Sequence, residues 1–287
     1  MVKAKGGYYF VRDSSGFVLR CRARRKIKEA GTNLLVGDLV EVNVADGVVE
    51  KVYPRKNSIV RPPVANVDQV IVVMSVNEPP VDLFLLDRIL ISAESLMIEV
   101  VLCLNKMDLS SDLSNNMIKE IGKVYENCGY RTIFSSAVTK QGLPELEKFL
   151  MNKVSVFAGP SGVGKSTLIN KLKPGLGLKS AAVSSKSERG RHTTRHVELL
   201  AIDKTTFVAD TPGFQKLDLK GLSGKELPSC FPEMVPFAGS CRFTDCTHRV
   251  EPGCGVKEAL QRGAIASWRY NHYLMFLNEI QQAEKKY

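Results

Sequence analysis

Tryptophan is nearly absent from this chain of 287 residues, with one copy, and histidine is scarce, with four. The longest apolar run, near Val70 to Val76, is far short of the roughly 20 residues that a membrane helix needs. The opening stretch, Met1 to Gly7, has neither an apolar signal core nor an Arg- and Ser-rich transit pattern. No membrane association is expected, and the expected setting is a monomer in the cytoplasm. Acidic residues are also in short supply, 30 Asp and Glu against 40 Lys and Arg, for a formal charge of +10. That balance points to an anionic partner. A composition 44% hydrophobic and 24% charged excludes disorder or a collagen-like chain as the overall description.

The seven cysteines are an odd number, and without a secretion signal they are not expected to form a disulfide framework. Cys21, Cys103, Cys128 and Cys230 are scattered, whereas Cys241, Cys246 and Cys254 cluster around His248.

Three regions are distinguishable. Residues 1–66 hold 13 Lys and Arg against 6 Asp and Glu. Short strands such as Tyr8–Val11 and Phe17–Arg22, joined by the turn-forming Asp13-Ser14-Ser15-Gly16, predict a small β-barrel. Residues 67–218 alternate apolar strands with helical spacing, the pattern of a three-layer α/β domain. Within them, strands are expected at Gln69–Val76, Glu99–Leu104, Thr132–Phe134, Val154–Ala158, Val197–Ile202 and Thr206–Ala209. Lys173 to Arg195 is Gly-, Ser- and Lys-rich and is expected to be a loop. Residues 219–287 are irregular, bear cysteines and end in a helix expected from Ile265 to Ala283.

Gly159-Pro160-Ser161-Gly162-Val163-Gly164-Lys165-Ser166-Thr167 matches G-x-x-x-x-G-K-S/T in full, between a strand and a helix. Such a loop cradles phosphates with backbone N–H groups at a helix N-terminus. Lys165 is expected to reach the β- and γ-phosphates and Ser166 to ligate Mg²⁺. Asn105-Lys106-Met107-Asp108 follows an apolar strand. An Asp there accepts two N–H donors that guanine has and adenine lacks, and unpaired buried groups then reject the wrong base. Asn105 is expected to brace the phosphate loop and Lys106 to lie over the base. Ser135-Ser136-Ala137 is similar to the segment whose backbone meets the guanine carbonyl, so Ser136 and Ala137 join the candidates. Asp210-Thr211-Pro212-Gly213 supplies an Asp for Mg²⁺ and a Gly213 N–H for the γ-phosphate. In Arg191-His192-Thr193-Thr194-Arg195, Thr194 is the candidate to complete the Mg²⁺ shell.

The order of these motifs is unusual, because the guanine segments at 105 and 135 precede the phosphate loop at 159. A circularly permuted P-loop GTPase domain is the expectation, and it is geometrically feasible because the termini of a domain often lie close together. Phe214 occupies the position where Ras-type enzymes orient water with Gln. Slow intrinsic hydrolysis and an activating partner are therefore expected. His192 is the candidate for the missing catalytic role, with a plain polar loop residue as the alternative.

Cys241-x4-Cys246-x-His248-x5-Cys254 gathers three thiols and one imidazole within 14 residues. Three Cys and one His form a closed tetrahedral set for one structural Zn²⁺, in a segment expected to have little core of its own.

Together these residues resemble the RsgA (YjeQ) family, circularly permuted GTPases of small ribosomal subunit biogenesis. The resemblance covers essentially the whole chain. It implies an OB-fold barrel (1–66), a permuted GTPase domain (67–218) and a zinc-binding helical C-terminal domain (219–287). It further implies binding of GTP and GDP, and of the small subunit and its rRNA late in assembly, with subunit-stimulated hydrolysis driving release. The hydrophobic residue after Asp-Thr-Pro-Gly matches Phe214, and the family's proposed catalytic histidine matches His192. The long N-terminal extension of some members has no counterpart.

Arg20, Arg22, Arg24, Arg25, Lys26 and Lys28 form a dense basic stretch on the expected barrel, and such a barrel can track a nucleic-acid backbone. Arg22, Arg24, Arg25 and Lys26 are the RNA-binding candidates. Tyr8, Tyr9, Phe10 and Phe17 are either base-stacking or core residues. Trp268, Arg269, Tyr270 and Tyr273 are a second RNA-facing candidate set, with packing of Trp268 on the zinc segment as the alternative. A GTP-gated RNA-binding module with incidental hydrolysis, and a permuted GTPase of the large subunit or a membrane, are the competing functions.

Overall fold

The computed structural model describes residues 1–29, 31, 33–60, 62–178, 197–210, 219 and 221–285, without the side chains of residues 28 and 29. It begins with five strands: β1 (Lys3–Lys5), β2 (Tyr8–Arg12), β3 (Val18–Ala23), β4 (Val40–Asn43) and β5 (Val48–Val52). A short helix, α1 (Arg25–Glu29), lies between β3 and β4. The sheet order is β1-β2-β3-β5-β4, with β3 and β5 parallel and every other pair antiparallel. This is the connectivity of a five-stranded OB barrel. Strand alternation accounts for it: Cys21, Ala23 and Val49 point inward while Arg20 and Arg22 point out. Met1 closes the gap between β1 and β4. Its amino group donates to Asp38 O at 2.7 Å, and its carbonyl accepts from Gly37 N at 2.8 Å.

After the small ladder β6 (Ser58–Ile59) and β7 (Val64–Ala65) comes a six-stranded sheet. Its strands are β8 (Gln69–Ser75), β9 (Glu99–Asn105), β10 (Arg131–Phe134), β11 (Val154–Ala158), β12 (Leu200–Ala201) and β13 (Phe207–Asp210). The order is β10-β9-β8-β11-β13-β12, parallel except for the edge strand β12. Helices α2 (Leu83–Glu94) and α3 (Asp112–Asn127) cover one face; α4 (Leu143–Leu150) and α5 (Lys165–Leu172) cover the other. Between their polar ends the central strands β8 and β9 are apolar, Val70 to Met74 and Val100 to Leu104, as burial on both faces demands. Winding proceeds outward from β8 in one direction and from β11 in the other. The two strands therefore flank a topological switch point, where a crevice opens at their carboxyl ends. Only Leu200 and Ala201 of the expected 197–202 strand are paired in the ladder to β13.

The C-terminal region comprises α6 (Val235–Ala238), α7 (Gly255–Gln261) and α8 (Ser267–Glu284). It has a core, contrary to the expectation of little: Leu227, Phe231, Met234, Val256, Tyr273 and Phe276 are buried together with Ile91 of α2. The second candidate RNA set is overturned by its surroundings. Arg269 is fully buried and donates to Asp87 of α2 (2.6 Å) and to both oxygens of Glu233 (2.6 and 3.0 Å), with its guanidinium 4.6 Å from the Phe231 ring. Asp87 also accepts from Tyr125 of α3 at 2.7 Å and lies 2.6 Å from His272 Nδ1. The hydroxyls of Tyr270 and Tyr273 donate to the carbonyls of His248 and Thr247, both at 2.6 Å. These two tyrosines, rather than Trp268, hold the cysteine-bearing loop. Trp268 instead lines a cavity of about 410 Å³ with Val124 of α3 and Cys128, the residue that follows that helix.

Arg269 thus neutralises two buried carboxylates across the junction of α2 with α8. Replacing it with Ala removes the guanidinium from both, leaving Asp87 with only Tyr125 and His272, and the expected loss is about 3–5 kcal/mol, measured as a lowered urea midpoint for the full chain.

Candidate functional site

The phosphate-loop sequence lies at the switch point. β11 ends at Ala158, the loop runs through Gly159–Gly164, and α5 starts at Lys165. Two glycines are dictated by their neighbours. A Cβ on Gly159 (φ 130°) would sit 2.1 Å from Val73 O of β8, and one on Gly164 (φ 97°) would sit 2.4 Å from Asn105 Nδ2. Gly164 caps α5 with no side-chain partner, so the first N–H groups of the helix stay open to an anion. Val163 is buried and anchors the loop, while Pro160, Ser161, Gly162, Ser166 and Thr167 retain exposure.

Asn105 ends β9 and is buried. Its Nδ2 donates to Val163 O at 2.8 Å, and its Oδ1 accepts from Ser135 Oγ at 3.0 Å. Cys103 Sγ lies 3.1 Å behind Ser135 Oγ, and burial pushes that thiol up to about 12. Lys106 adopts a left-handed conformation (φ 65°), and its ammonium donates to Glu78 O, in the loop after β8. Asp108 accepts from Ser136 Oγ at 2.5 Å, and Ser136 Oγ in turn accepts from the N–H groups of Val138 and Thr139, both at 3.1 Å. Ala137 is buried beside them. The 105–108 and 135–137 segments are therefore brought together, and Asn105 joins them to the phosphate loop.

Lys165 Nζ donates to the carbonyls of Gly159 and Pro160, each at 2.8 Å. Burial pulls its pKa below the ordinary lysine value, and the Asp210 carboxylate partly offsets this. Ser166 Oγ donates to Asp210 Oδ2 at 2.5 Å. A hydroxyl and a carboxylate at that separation, beside a phosphate cradle, are the donor types that a hard cation such as Mg²⁺ takes. His192, Thr194, Gly213 and Phe214 lie outside the described residues.

The Cys/His cluster is assembled 3.4–3.8 Å apart: Cys254 Sγ–His248 Nδ1 3.4 Å, Cys241 Sγ–His248 Nδ1 3.5 Å, Cys241 Sγ–Cys254 Sγ 3.8 Å. All four ligand atoms, Cys246 Sγ included, lie within 4.8 Å of one another. A tetrahedral ion with sulfur at ~2.3 Å and nitrogen at ~2.0 Å has S···S and S···N edges of roughly 3.8 and 3.5 Å, so the set fits such an ion. Glu251 ties the loop by accepting from Thr247 N and Oγ1, Arg249 N and Val250 N, at 2.6–3.0 Å. Burial works against its charge, but these hydrogen bonds prevail and hold the carboxyl at about 2.

On the barrel, Arg22, Arg24, Arg25 and Lys26 are exposed, and Arg24 pairs with Glu50 at 3.3 Å. Tyr8 faces outward. Its ring lies under the guanidinium groups of Arg20 (4.7 Å) and Arg22 (5.0 Å), and Arg22 donates to its hydroxyl at 2.6 Å. Tyr9 packs with the barrel core. Sequence reasoning passed over Ser135 as a fastening of Asn105, and Glu78 as the acceptor for Lys106. Glu78 belongs to no motif, Ser135 is visible in sequence only as the start of the 135–137 segment, and only the fold shows what each bonds. No described helix is long and apolar enough to cross a membrane.

Comparison with known proteins agrees with this geometry. A sequence model described as RsgA GTPase matches residues 52–220, and one described as RsgA N-terminal domain matches residues 1–48. The chain is 45% identical to a protein of Moorella thermoacetica named "Small ribosomal subunit biogenesis GTPase RsgA", over 100% of this chain and 98% of that one. It is also 45% identical to an Alkaliphilus metalliredigens protein of the same name, over 98% and 97%. Among solved structures, YjeQ from Thermotoga maritima superposes with a TM-score of 0.86 at 36% identity, covering 98% of this chain and 96% of that one. YloQ, described as a circularly permuted GTPase, superposes with a TM-score of 0.82 at 33% identity, covering 98% and 94%. With its guanine segments preceding its phosphate loop on a barrel-bearing chain, this protein belongs to the RsgA family of circularly permuted GTPases.

Proposed function

We propose that this protein hydrolyses GTP to GDP and phosphate while bound to the small ribosomal subunit, acts in late maturation of that subunit, and uses hydrolysis to leave it. The observation that carries the reading is the Asn105 amide, joined at one end to the phosphate loop and at the other to the 135–137 segment. It brings a base-reading carboxylate and a phosphate cradle into one crevice. The relatives named above carry small-subunit biogenesis in their names. The domain limits in this reading fall near residues 66 and 218.

In this reading Asp108 accepts two guanine N–H donors, with the Ser136 hydroxyl giving way to the base. Lys106 covers the base, and Ser136 and Ala137 present backbone to its carbonyl. The N–H groups of Gly159–Thr167 hold the phosphates, and Lys165 exchanges its two carbonyl partners for β- and γ-oxygens. Ser166 and Asp210, with Thr194, would hold Mg²⁺, which would supply positive charge against the negative charge of the phosphates. Water attacks the γ-phosphorus, the bond to the β–γ bridging oxygen breaks, and GDP leaves with the electron pair. Gly213 registers the γ-phosphate. Phe214 cannot orient the water, so the subunit supplies or assembles what is missing, with His192 as the residue brought to bear. The Cys241, Cys246, His248 and Cys254 set holds one structural Zn²⁺. Its four protein ligands leave no open position for catalysis. Arg22, Arg24, Arg25 and Lys26 contact rRNA phosphates, and Tyr8 with Arg20 adds a stacking surface. The working form is a cytoplasmic monomer.

Turnover of GTP, with ATP as control, is expected to rise strongly with purified small subunits and not with large ones. Equal stimulation by both, or by neither, would overturn the proposal. His192→Ala is expected to lose the stimulated rate and keep GTP binding. Asp108→Asn is expected to weaken GTP binding by at least ~100-fold, because the guanine donors lose their carboxylate.

One zinc per chain is expected by elemental analysis. Cys254→Ser is expected to lose it and to lower the melting temperature, with GTP affinity unchanged.

Arg22→Ala is expected to weaken subunit binding and to reduce the slope of log affinity against log salt by about one. An unchanged slope would remove this residue from the RNA contact.

A further inference from the structure

β12 and β13 form one hairpin whose two outer ends lead to the segments proposed to sense the γ-phosphate. Thr194 lies upstream of the first leg and Gly213 three residues beyond Asp210, the end of the second. The turn is tightly tied. Asp203 Oδ1 accepts from the N–H groups of Thr205 (2.7 Å) and Thr206 (2.8 Å), and the Thr205 hydroxyl donates to Asn152 at 2.7 Å.

That hairpin is also where the barrel attaches. On the first leg, Leu199 N donates to Val2 O at 2.8 Å, Lys3 pairs with Glu198 as an antiparallel bridge, and their side chains meet at 2.6 Å. On the second leg, the Arg12 guanidinium of β2 lies 5.7 Å over the Phe207 ring. Arg12 Nε is buried without a hydrogen-bond partner, so contact with the ring accounts for its placement better than any polar bond does. Val2, just before β1, and Ala4 of β1 pack with Val197, Leu199 and Phe207 in the core of the sheet domain, not in the barrel's own core. Both legs are therefore gripped by the first two strands of the barrel. Those strands also carry Tyr8, the ring under Arg20 and Arg22.

We infer that Lys3, Arg12 and Glu198 are positioning residues that fasten the barrel to the β12–β13 hairpin, so that RNA engagement on the barrel and nucleotide state at the switch segments bias one another. The inference rests on the reading of the chain as a subunit-activated GTPase and names the route by which activation travels. Coupling of this kind is reciprocal: if nucleotide alters the barrel's affinity for RNA, RNA alters nucleotide binding by the same factor. It needs an element that both sites can bias, and the hairpin is fastened to the barrel at one end of the chain while its legs lead in sequence to both switch segments.

The test uses the full chain with Lys3→Glu, Glu198→Lys and the double charge swap. The pair is partly exposed, so the single changes are expected to leave the protein folded. Amide exchange in residues 2–12 is compared between GDP and a non-hydrolysable GTP analogue. The unaltered protein is expected to show a nucleotide-dependent difference, the single variants to lose it and the swap to regain it. Stimulation by small subunits is expected to fall about fivefold in the single variants, the low end of ordinary coupling, and to recover in the swap. GTP affinity and unstimulated turnover are expected to stay the same throughout. Exchange in the barrel that ignores the nucleotide, or single variants indistinguishable from the unaltered protein, overturns the inference. If no ribosomal particle stimulates turnover but the exchange difference follows the ion pair, the proposed function falls and the fastening stands.

Discussion

Asn105 uses both ends of its side-chain amide inside the protein, and the rest of the site depends on that arrangement. Its nitrogen bonds the phosphate loop at Val163, and its oxygen is held by Ser135. A rotated amide would put acceptor against carbonyl and donor against a hydroxyl already engaged with Cys103. The contact also determines what Gly164 can be, since any Cβ there would strike the amide. One buried polar group thus sets the spacing of three loops from separate parts of the sequence. Such a group is costly when unsatisfied and rigidifying when satisfied.

Permutation places a second demand on the fold. With β8 first in the sheet domain and β13 last, the C-terminal region departs from the β13 side, yet it packs against α2, the helix that follows β8. The Arg269–Asp87–Glu233 cluster sits on that seam. Buried ion pairs contribute little net stability compared with apolar packing. Their value here is geometric, because Arg269 has two carboxylates and two aromatic faces to satisfy and few orientations that do so. The C-terminal region is therefore held to the helix that leads from the nucleotide crevice.

The legible parts of this chain were those in which chemistry demands residue types at close spacing. The phosphate loop, the guanine tetrapeptide and the Cys/His set each lie within 14 residues, and the fold places the loop between β11 and α5, the tetrapeptide at the end of β9 and the four Cys/His ligand atoms together. The barrel was legible from its turns and alternation. The tail was not: Trp268, Arg269, Tyr270 and Tyr273 look like an RNA-facing set in isolation. A buried Arg cannot be told from an exposed one without its partners, and Asp87 lies 182 residues away. Short pairings escaped for a similar reason. Val197–Ile202 has the composition of a strand, but its edge position leaves two residues paired with β13 while its beginning is taken by the barrel.

That edge is where the two halves of the proposed function meet. An unpaired edge strand is exposed backbone that must be covered, and in this chain Val2 and Lys3 at the start of the barrel pair with Leu199 and Glu198, just before β12. The energetic consequence follows from population shift. A bound partner moves a conformational equilibrium only by the difference in its affinity for the two states. A barrel free to rotate relative to the sheet could bind RNA equally well in both nucleotide states and would transmit nothing. Under the proposed reading, the backbone hydrogen bond, ion pair and apolar seam that fasten the barrel to this edge are what would give RNA on the barrel a differential affinity for the two nucleotide states.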